Sequence, residues 1–266
     1  MNETPLDVAC VVWPHGALAT LVARHDVVVC SASLAAEESA VAPALAVLDA
    51  NERERFERYE NAAVARRFAV GRLRLREMLG TLLAIPPGAV PLYIGLHGKP
   101  SLARGSQPSR LRFSVAHCEE LLLVALSHSG EVGVDVERIR PIERWARVAD
   151  RVFGATDRAA IGREIASGED PSTVFFRFWC RGEAELKAIG SGIAGVTARR
   201  DGWHPTGLRV AELSTVPLPD DVPSDGVRYQ AAVALCTPRE ASGSRSSAET
   251  SQASPPRITP TNASTA

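Results

Sequence analysis

Four charged side chains carry the chemistry this sequence offers. Asp135 and Glu137 stand two apart in Gly133-Val134-Asp135-Val136-Glu137, an apolar run with the character of a strand. A strand alternates its side chains, so both carboxylates point to one face. Glu183 and Lys187 stand four apart in Trp179-Cys180-Arg181-Gly182-Glu183-Ala184-Glu185-Leu186-Lys187, which continues into Ala188-Ile189-Gly190-Ser191-Gly192. On a helix that spacing puts both on one face. Bringing the two faces together sets three carboxylates beside one ammonium. Like charges so close repel unless positive charge lies between them. A hard divalent cation with oxygen ligands is the natural occupant, and such ions usually carry a substrate phosphate. Each pair also has a plain reading: an acidic strand face, and an i,i+4 helix pair worth about 0.2–0.5 kcal/mol.

The elements that must position these groups are legible in part. Val27-Val28-Val29-Cys30 reads as a buried strand. Helical stretches follow over Pro43–Tyr59 and Val64–Ala84; in the second, Phe68, Leu75, Leu79 and Leu82 form an apolar stripe, and Arg66, Arg67, Arg72, Arg74 and Arg76 occupy the rest. Pro86-Pro87-Gly88 ends that helix. Ser101–Arg110 reads as a loop joining two halves. Leu121–Ser127 and Val132–Glu137, around His128-Ser129-Gly130, predict a hairpin. Helices are predicted over Arg144–Val152, Thr156–Ala166 and Thr173–Ile189, with Thr156 or Asp157 starting the second of these. Strands over Leu208–Leu213 and Val227–Leu235 close the domain. The stretch from Arg239 to Ala266 is rich in Ser, Thr, Ala and Pro and lacks aromatic residues, which predicts a disordered tail. The expected organisation is therefore 1–109, 110–238 and a tail, 239–266.

Composition narrows the partners. A formal net charge of -1 over 266 residues argues against nucleic acid, because a phosphate-binding face tilts a domain basic. The chain is long enough to bury a substantial core, and no apolar run approaches the length of a membrane span. The start Met1-Asn2-Glu3-Thr4-Pro5 lacks the pattern of a secretory signal. Cys10, Cys30, Cys118, Cys180 and Cys236 are scattered singly, as expected of reduced thiols in the cytoplasm. Basic residues are almost all Arg; the two lysines are Lys99 and Lys187.

The two acidic blocks together resemble the 4'-phosphopantetheinyl transferases of the larger, Sfp-type class. That family's signature is an acidic strand, Gly-[Val/Ile]-Asp-[Val/Ile]-Glu, followed by a helix with Trp-x-x-Lys-Glu-[Ala/Ser]-x-x-Lys-x-x-Gly-x-Gly. The first block matches in full, and the second at Trp179, Glu183, Ala184, Lys187, Gly190 and Gly192. Gly182 departs from the family's usual Lys. The resemblance extends from Val27 to Leu235. It implies an α+β fold of two similar halves related by a pseudo-two-fold, acting as a monomer with the ligand between the halves. It implies transfer of the 4'-phosphopantetheine arm of coenzyme A to a serine of an acyl or peptidyl carrier protein, dependent on Mg²⁺, with release of adenosine 3',5'-bisphosphate.

Residue by residue, the resemblance makes Asp135, Glu137 and Glu183 the Mg²⁺ ligands, Lys187 a phosphate contact that stabilises charge, and Glu183 the candidate base. Gly98-Lys99-Pro100 matches the loop beside the nucleotide, so Lys99 and Pro100 become coenzyme A contacts. His117, in Phe113-Ser114-Val115-Ala116-His117-Cys118, matches the contact to the 3'-phosphate, with Arg67 as helper; Ala116 and Cys118 replace small hydroxyl residues. Trp179 reads as a core anchor. Two other functions remain open on sequence: a non-catalytic paralogue that binds nucleotide or carrier, favoured by Gly182, Ala116 and Cys118, and an Mg²⁺-dependent phosphohydrolase.

Overall fold

The computed structural model describes residues 4–35, 38–95, 98–103, 110–190 and 207–237. The tail expected over 239–266, and Ser191 and Gly192 of the second block, lie outside the described residues.

Two sheets form the centre. The first has the order β1 (Val8–Val12), β2 (Val27–Ser33), β6 (Leu121–Ser127), β5 (Arg112–Cys118). β1 runs parallel to β2 through the crossover helix α1 (Leu18–Arg24); the other pairs are antiparallel. The second sheet has the order β7 (Glu131–Arg138), β9 (Tyr229–Cys236), β8 (Leu208–Leu213), all antiparallel. A small ribbon pairs β3 (Leu92–Ile94) with β4 (Pro100–Leu102).

The halves repeat one topology. In the first, β2 leads into helices α2 (Glu38–Val47), α3 (Ala50–Glu57) and α4 (Ala62–Leu83), and the chain returns as β5 and then β6, which inserts between β2 and β5. In the second, β7 leads into α5 (Trp145–Val152), α6 (Ala155–Ala166) and α7 (Pro171–Ile189), then β8, then β9, which inserts between β7 and β8. The two-half α+β expectation is met. The hairpin expected from 121–127 and 132–137 is not: β6 pairs with β2 and β5, and β7 pairs with β9. The division at 109/110 puts β5 and β6 with the second half, whereas their hydrogen bonds place them in the first sheet. β6 is buried at every position, and local pattern does not choose a partner for such a strand.

Packing follows strand alternation. On β2 and β6 the even positions Val28, Cys30, Leu122, Val124 and Leu126 face α4, while Val27, Val29, Leu121, Leu123 and Ala125 face the second sheet. Val132, Val134, Val136, Val233 and Leu235 supply its side of that interface. On its outer face the second sheet offers Ala232 and Ala234 to Cys180, Ala184 and Ala188 of α7. These small residues bring helix and sheet close. Gly133 completes the approach: a Cβ there would overlap the Ala184 carbonyl oxygen and lie 2.5 Å from the Ala188 nitrogen. Backbone cannot swing aside as a side-chain tip can. Gly133→Ala should therefore cost about 3 kcal/mol, at the upper end for overpacking, read as a lower urea midpoint at unchanged slope. A midpoint equal to wild type would place α7 farther from β7.

Several helix details differ from expectation. The stretch 43–59 is two helices, because Asp49 accepts from the Glu52 amide at 2.9 Å and Glu52 accepts from the Asp49 amide at 3.2 Å, a capping box that starts α3. Arg76, expected on the surface, is 2% exposed. It donates to Glu52 at 2.8 Å and to the Val90 carbonyl at 2.7 Å, partners that its own helix does not reveal. α6 starts at Gly154 without a side-chain cap, and Asp157 lies in its first turn. Trp179 does serve the core, stacked on Phe175 at 6.1 Å.

Candidate active site

The acidic end of the site is built by β7 and α7. Asp170 caps α7, its carboxylate accepting from the Thr173 amide at 2.8 Å, and Pro171 occupies the first turn. The helix ends at Gly190, whose φ of +67° is the left-handed conformation that glycine takes freely. Between these stops the face holding Cys180, Ala184 and Ala188 sits on the sheet. The adjoining face carries Glu183 and Lys187, and Lys187 reaches β7. Lys187 Nζ donates to Asp135 Oδ1 at 2.8 Å and to the Val134 carbonyl at 3.1 Å.

Asp135 is 8% exposed, and its Oδ2 has no hydrogen-bond partner. Burial pushes its carboxyl above the usual range, against the pull of the Lys187 ammonium. Glu137, on the same face, is pushed up by burial and then by the Asp135 charge, with Arg140 at 3.7 Å opposing. The pair is thus short of positive charge. A buried, unpartnered carboxylate oxygen beside a second carboxylate is a donor set that suits a hard cation. Among the described residues, however, no three Asp, Glu, His or Cys side chains form a ligand cluster. Lys187 supplies the charge beside Asp135, and Glu183 stands half-buried one turn before it on α7.

The other end of the site is a cavity of about 410 Å³ under α4 and β5. Arg55, Tyr59, Arg67, Phe68, Pro100 and His117 line it. Of the predicted coenzyme A contacts it gathers Arg67, Pro100 and His117. Arg67 also meets Glu120 at 2.6 Å. Lys99 does not line the cavity: its Nζ donates to the backbone carbonyls of Val132 and Lys187, both at 2.9 Å. Arg55 and Arg72, not among the expected site residues, reach the same wall, with their guanidinium groups 5.0 and 5.3 Å from the centre of the Phe68 ring. In sequence Arg55 stands in Glu52-Arg53-Glu54-Arg55, a charge run that reads equally as a solvated helix face.

These cations make the cavity suited to a multiply charged anion with an apolar or planar part. They also act on His117. Burial first, then the charges of Lys187, Arg67 and Arg55, hold its imidazole below the ordinary value of 6.5. The Lys187 charge acts on both Asp135 and His117, so one cation links the acid pair to the cavity.

Residues 131–215 match the family model of the 4'-phosphopantetheinyl transferase superfamily, and residues 35–129 match that of the 4'-phosphopantetheinyl transferase N-terminal region. The chain is 34% identical over 200 residues to the 4'-phosphopantetheinyl transferase HetI of Nostoc sp., covering 74% of this chain and 83% of that protein.

The chain belongs to the 4'-phosphopantetheinyl transferase superfamily.

Two further transferases match over shorter spans. AcpT of Salmonella typhimurium is 34% identical over 118 residues, 44% of this chain and 58% of that protein. The transferase gsp of Aneurinibacillus migulanus is 29% identical over 138 residues, 52% and 54% of the two chains. The two family models meet at the turn between β6 and β7, where the hydrogen bonding passes from one sheet to the other. In this transferase the matched halves each supply one end of the site: the first the cationic cavity, the second the acid pair and Lys187.

Proposed function

We propose that this transferase moves 4'-phosphopantetheine from coenzyme A to a serine of an acyl or peptidyl carrier protein and releases adenosine 3',5'-bisphosphate. The observation that carries the reading is the acid pair of buried Asp135 and half-buried Glu137, joined through Lys187 to a cavity rimmed by Arg55, Arg67 and His117. The rim would hold the nucleotide phosphates, His117 and Arg67 facing the 3'-phosphate as charge-assisted donors. The pyrophosphate would then extend toward Asp135. Asp135, Glu137 and Glu183 would hold Mg²⁺, which when bound supplies charge neutralisation at the pyrophosphate.

The reaction forms a bond from the serine oxygen to the β-phosphorus and breaks the bond from that phosphorus to the leaving bisphosphate. This chain's part is positioning and charge. Lys187, which now donates to Asp135 Oδ1, would turn to a phosphate oxygen and meet the charge that grows on the leaving group. Glu183 would take the serine proton. One chain supplies both ends of the site, so it would act as a monomer. Among the described residues no helix is long and apolar enough to cross a membrane. The five cysteines are unpaired, which supports the cytoplasmic assignment.

The test is incubation with Mg²⁺, coenzyme A labelled in its pantetheine arm, and apo carrier proteins of fatty-acid, polyketide and peptide-synthetase type. Label on the carrier supports the reading. Free phosphopantetheine would make the protein a hydrolase, and tight coenzyme A binding without reaction would make it a binding paralogue.

His117 gives a sharper check. Below the imidazole's depressed value, His117→Ala should lower kcat/KM for coenzyme A by about ten- to a hundredfold and leave the 3'-dephospho analogue nearly unchanged, since a charged hydrogen bond to phosphate contributes about 1.5–3 kcal/mol. The imidazole's value is depressed, so its charged form is present below that value and lost as pH rises through it. kcat/KM reports the free protein. The wild-type preference for coenzyme A should therefore fade at a pH below the 6.5 that an unperturbed histidine would give. The same preference in variant and wild type would make His117 structural.

A further inference from the structure

β7 is an edge strand. Its ladder to β9 occupies one side, and β5 packs along the other with no ladder between them among the described residues. Exposed strand edges carry backbone groups that need partners. Here side chains supply them. Ser114 Oγ accepts from the Val134 amide at 3.2 Å, and Cys118 Sγ accepts from the Arg138 amide at 3.2 Å. Lys187 Nζ donates to the Val134 carbonyl at 3.1 Å, and Lys99 Nζ to the Val132 carbonyl at 2.9 Å.

Lys99 does one thing more. Its second bond, 2.9 Å long, goes to the carbonyl of Lys187, in the last turn of α7. Carbonyls there have no partner within the helix and favour a cation. The residue whose carbonyl is held is the one whose ammonium meets Asp135. Lys99 itself stands between Gly98 and Pro100, both in the cavity wall. Its side chain is 22% exposed, with Glu131 at 3.7 Å as its nearest acid.

We infer that Lys99 is a positioning residue. It ties the cavity wall to β7 and to the end of α7, and so holds the cationic cavity at a fixed distance from Asp135 and Lys187. Transfer needs both ends of coenzyme A placed at once, and an error of about 1 Å can cost about a hundredfold in rate. This assignment rests on the transfer reaction proposed above, and it replaces direct contact with coenzyme A as the role of Lys99. A guanidinium would be a poor substitute, since its planar fork does not aim at two carbonyls on different elements.

The test separates binding from turnover. In Lys99→Met, kcat should fall about ten- to a hundredfold, while the dissociation constant of coenzyme A, measured directly without carrier, should stay within about threefold of wild type. A dissociation constant raised tenfold or more with kcat intact would make Lys99 a substrate ligand and overturn the inference. No change in either would overturn it too. If Lys99→Met does not fold, Lys99→Gln, which keeps an N–H donor on a shorter arm, is held to the same two criteria. If the wild type transfers to no carrier, the reaction reading has failed on its own. The clamp is then read by hydrogen exchange, which should quicken in the variant at 186–190 and not across the chain; exchange unchanged there, or quickened everywhere, overturns it.

Discussion

Asp135→Ala is expected to lower transfer by about a thousandfold or more at saturating Mg²⁺, because the charge neutralisation it helps supply is worth several kcal/mol and about 1.4 kcal/mol is a factor of ten. The fold should survive. Asp135 is buried with one oxygen unpartnered, so its charged form is a burden on the folded protein. A carboxyl whose folded value is raised favours folding most below the unfolded value, and that benefit is lost as pH rises through the folded value. Above that folded value the wild type carries the whole penalty and the variant does not. Against this, Lys187 loses its ion pair, but its side chain is 31% exposed and can reach water. The melting temperature without Mg²⁺ should therefore stay within a few degrees of wild type. Mg²⁺ should raise the melting temperature of the wild type and not that of the variant, by mass action on the folded state. Near-normal turnover by Asp135→Ala, or equal Mg²⁺ stabilisation of both proteins, would remove Asp135 from the metal site.

Lys187→Ala comes next in size. Its ammonium is the cation on Asp135 and acts on His117, so it stands between the two ends of the site. If it meets charge that appears only as the leaving group departs, kcat should fall about a hundred- to a thousandfold, and coenzyme A binding less than about tenfold. Lys187→Arg should rescue little, since a planar fork cannot occupy the position that bridges the Val134 carbonyl and Asp135 Oδ1. The variant should also be less stable than wild type by about 1–2 kcal/mol, because Asp135 is left buried without its cation. Adding Asp135→Asn to Lys187→Ala should return most of that stability and none of the activity. An intact kcat with weaker coenzyme A binding would mark Lys187 as a ground-state contact.

Sequence by itself determined the two elements that matter most. The alternation in Gly133–Glu137 and the 3.6 spacing in Trp179–Lys187 are local periods, and local periods fix which side chains share a face. β7, α7, the shared face of Asp135 and Glu137, and the reach of Lys187 to that face follow from them. Gly133 and Ala184 also acquire a reason: they are the close contact of strand and helix, not ligands. What only the tertiary structure decided is non-local. A strand buried on both faces carries no mark of its neighbour, so β6 could be assigned to β7 on sequence and belongs with β2 and β5 in space. Long cationic side chains have many rotamers and take the direction that packing leaves them. Hence Arg76 turned inward to Glu52, Arg55 joined the cavity wall, and Lys99 turned from the cavity to the backbone of β7 and α7. Spacing in the chain determines the face on which a charge is presented; the neighbours across the seam determine what that charge meets.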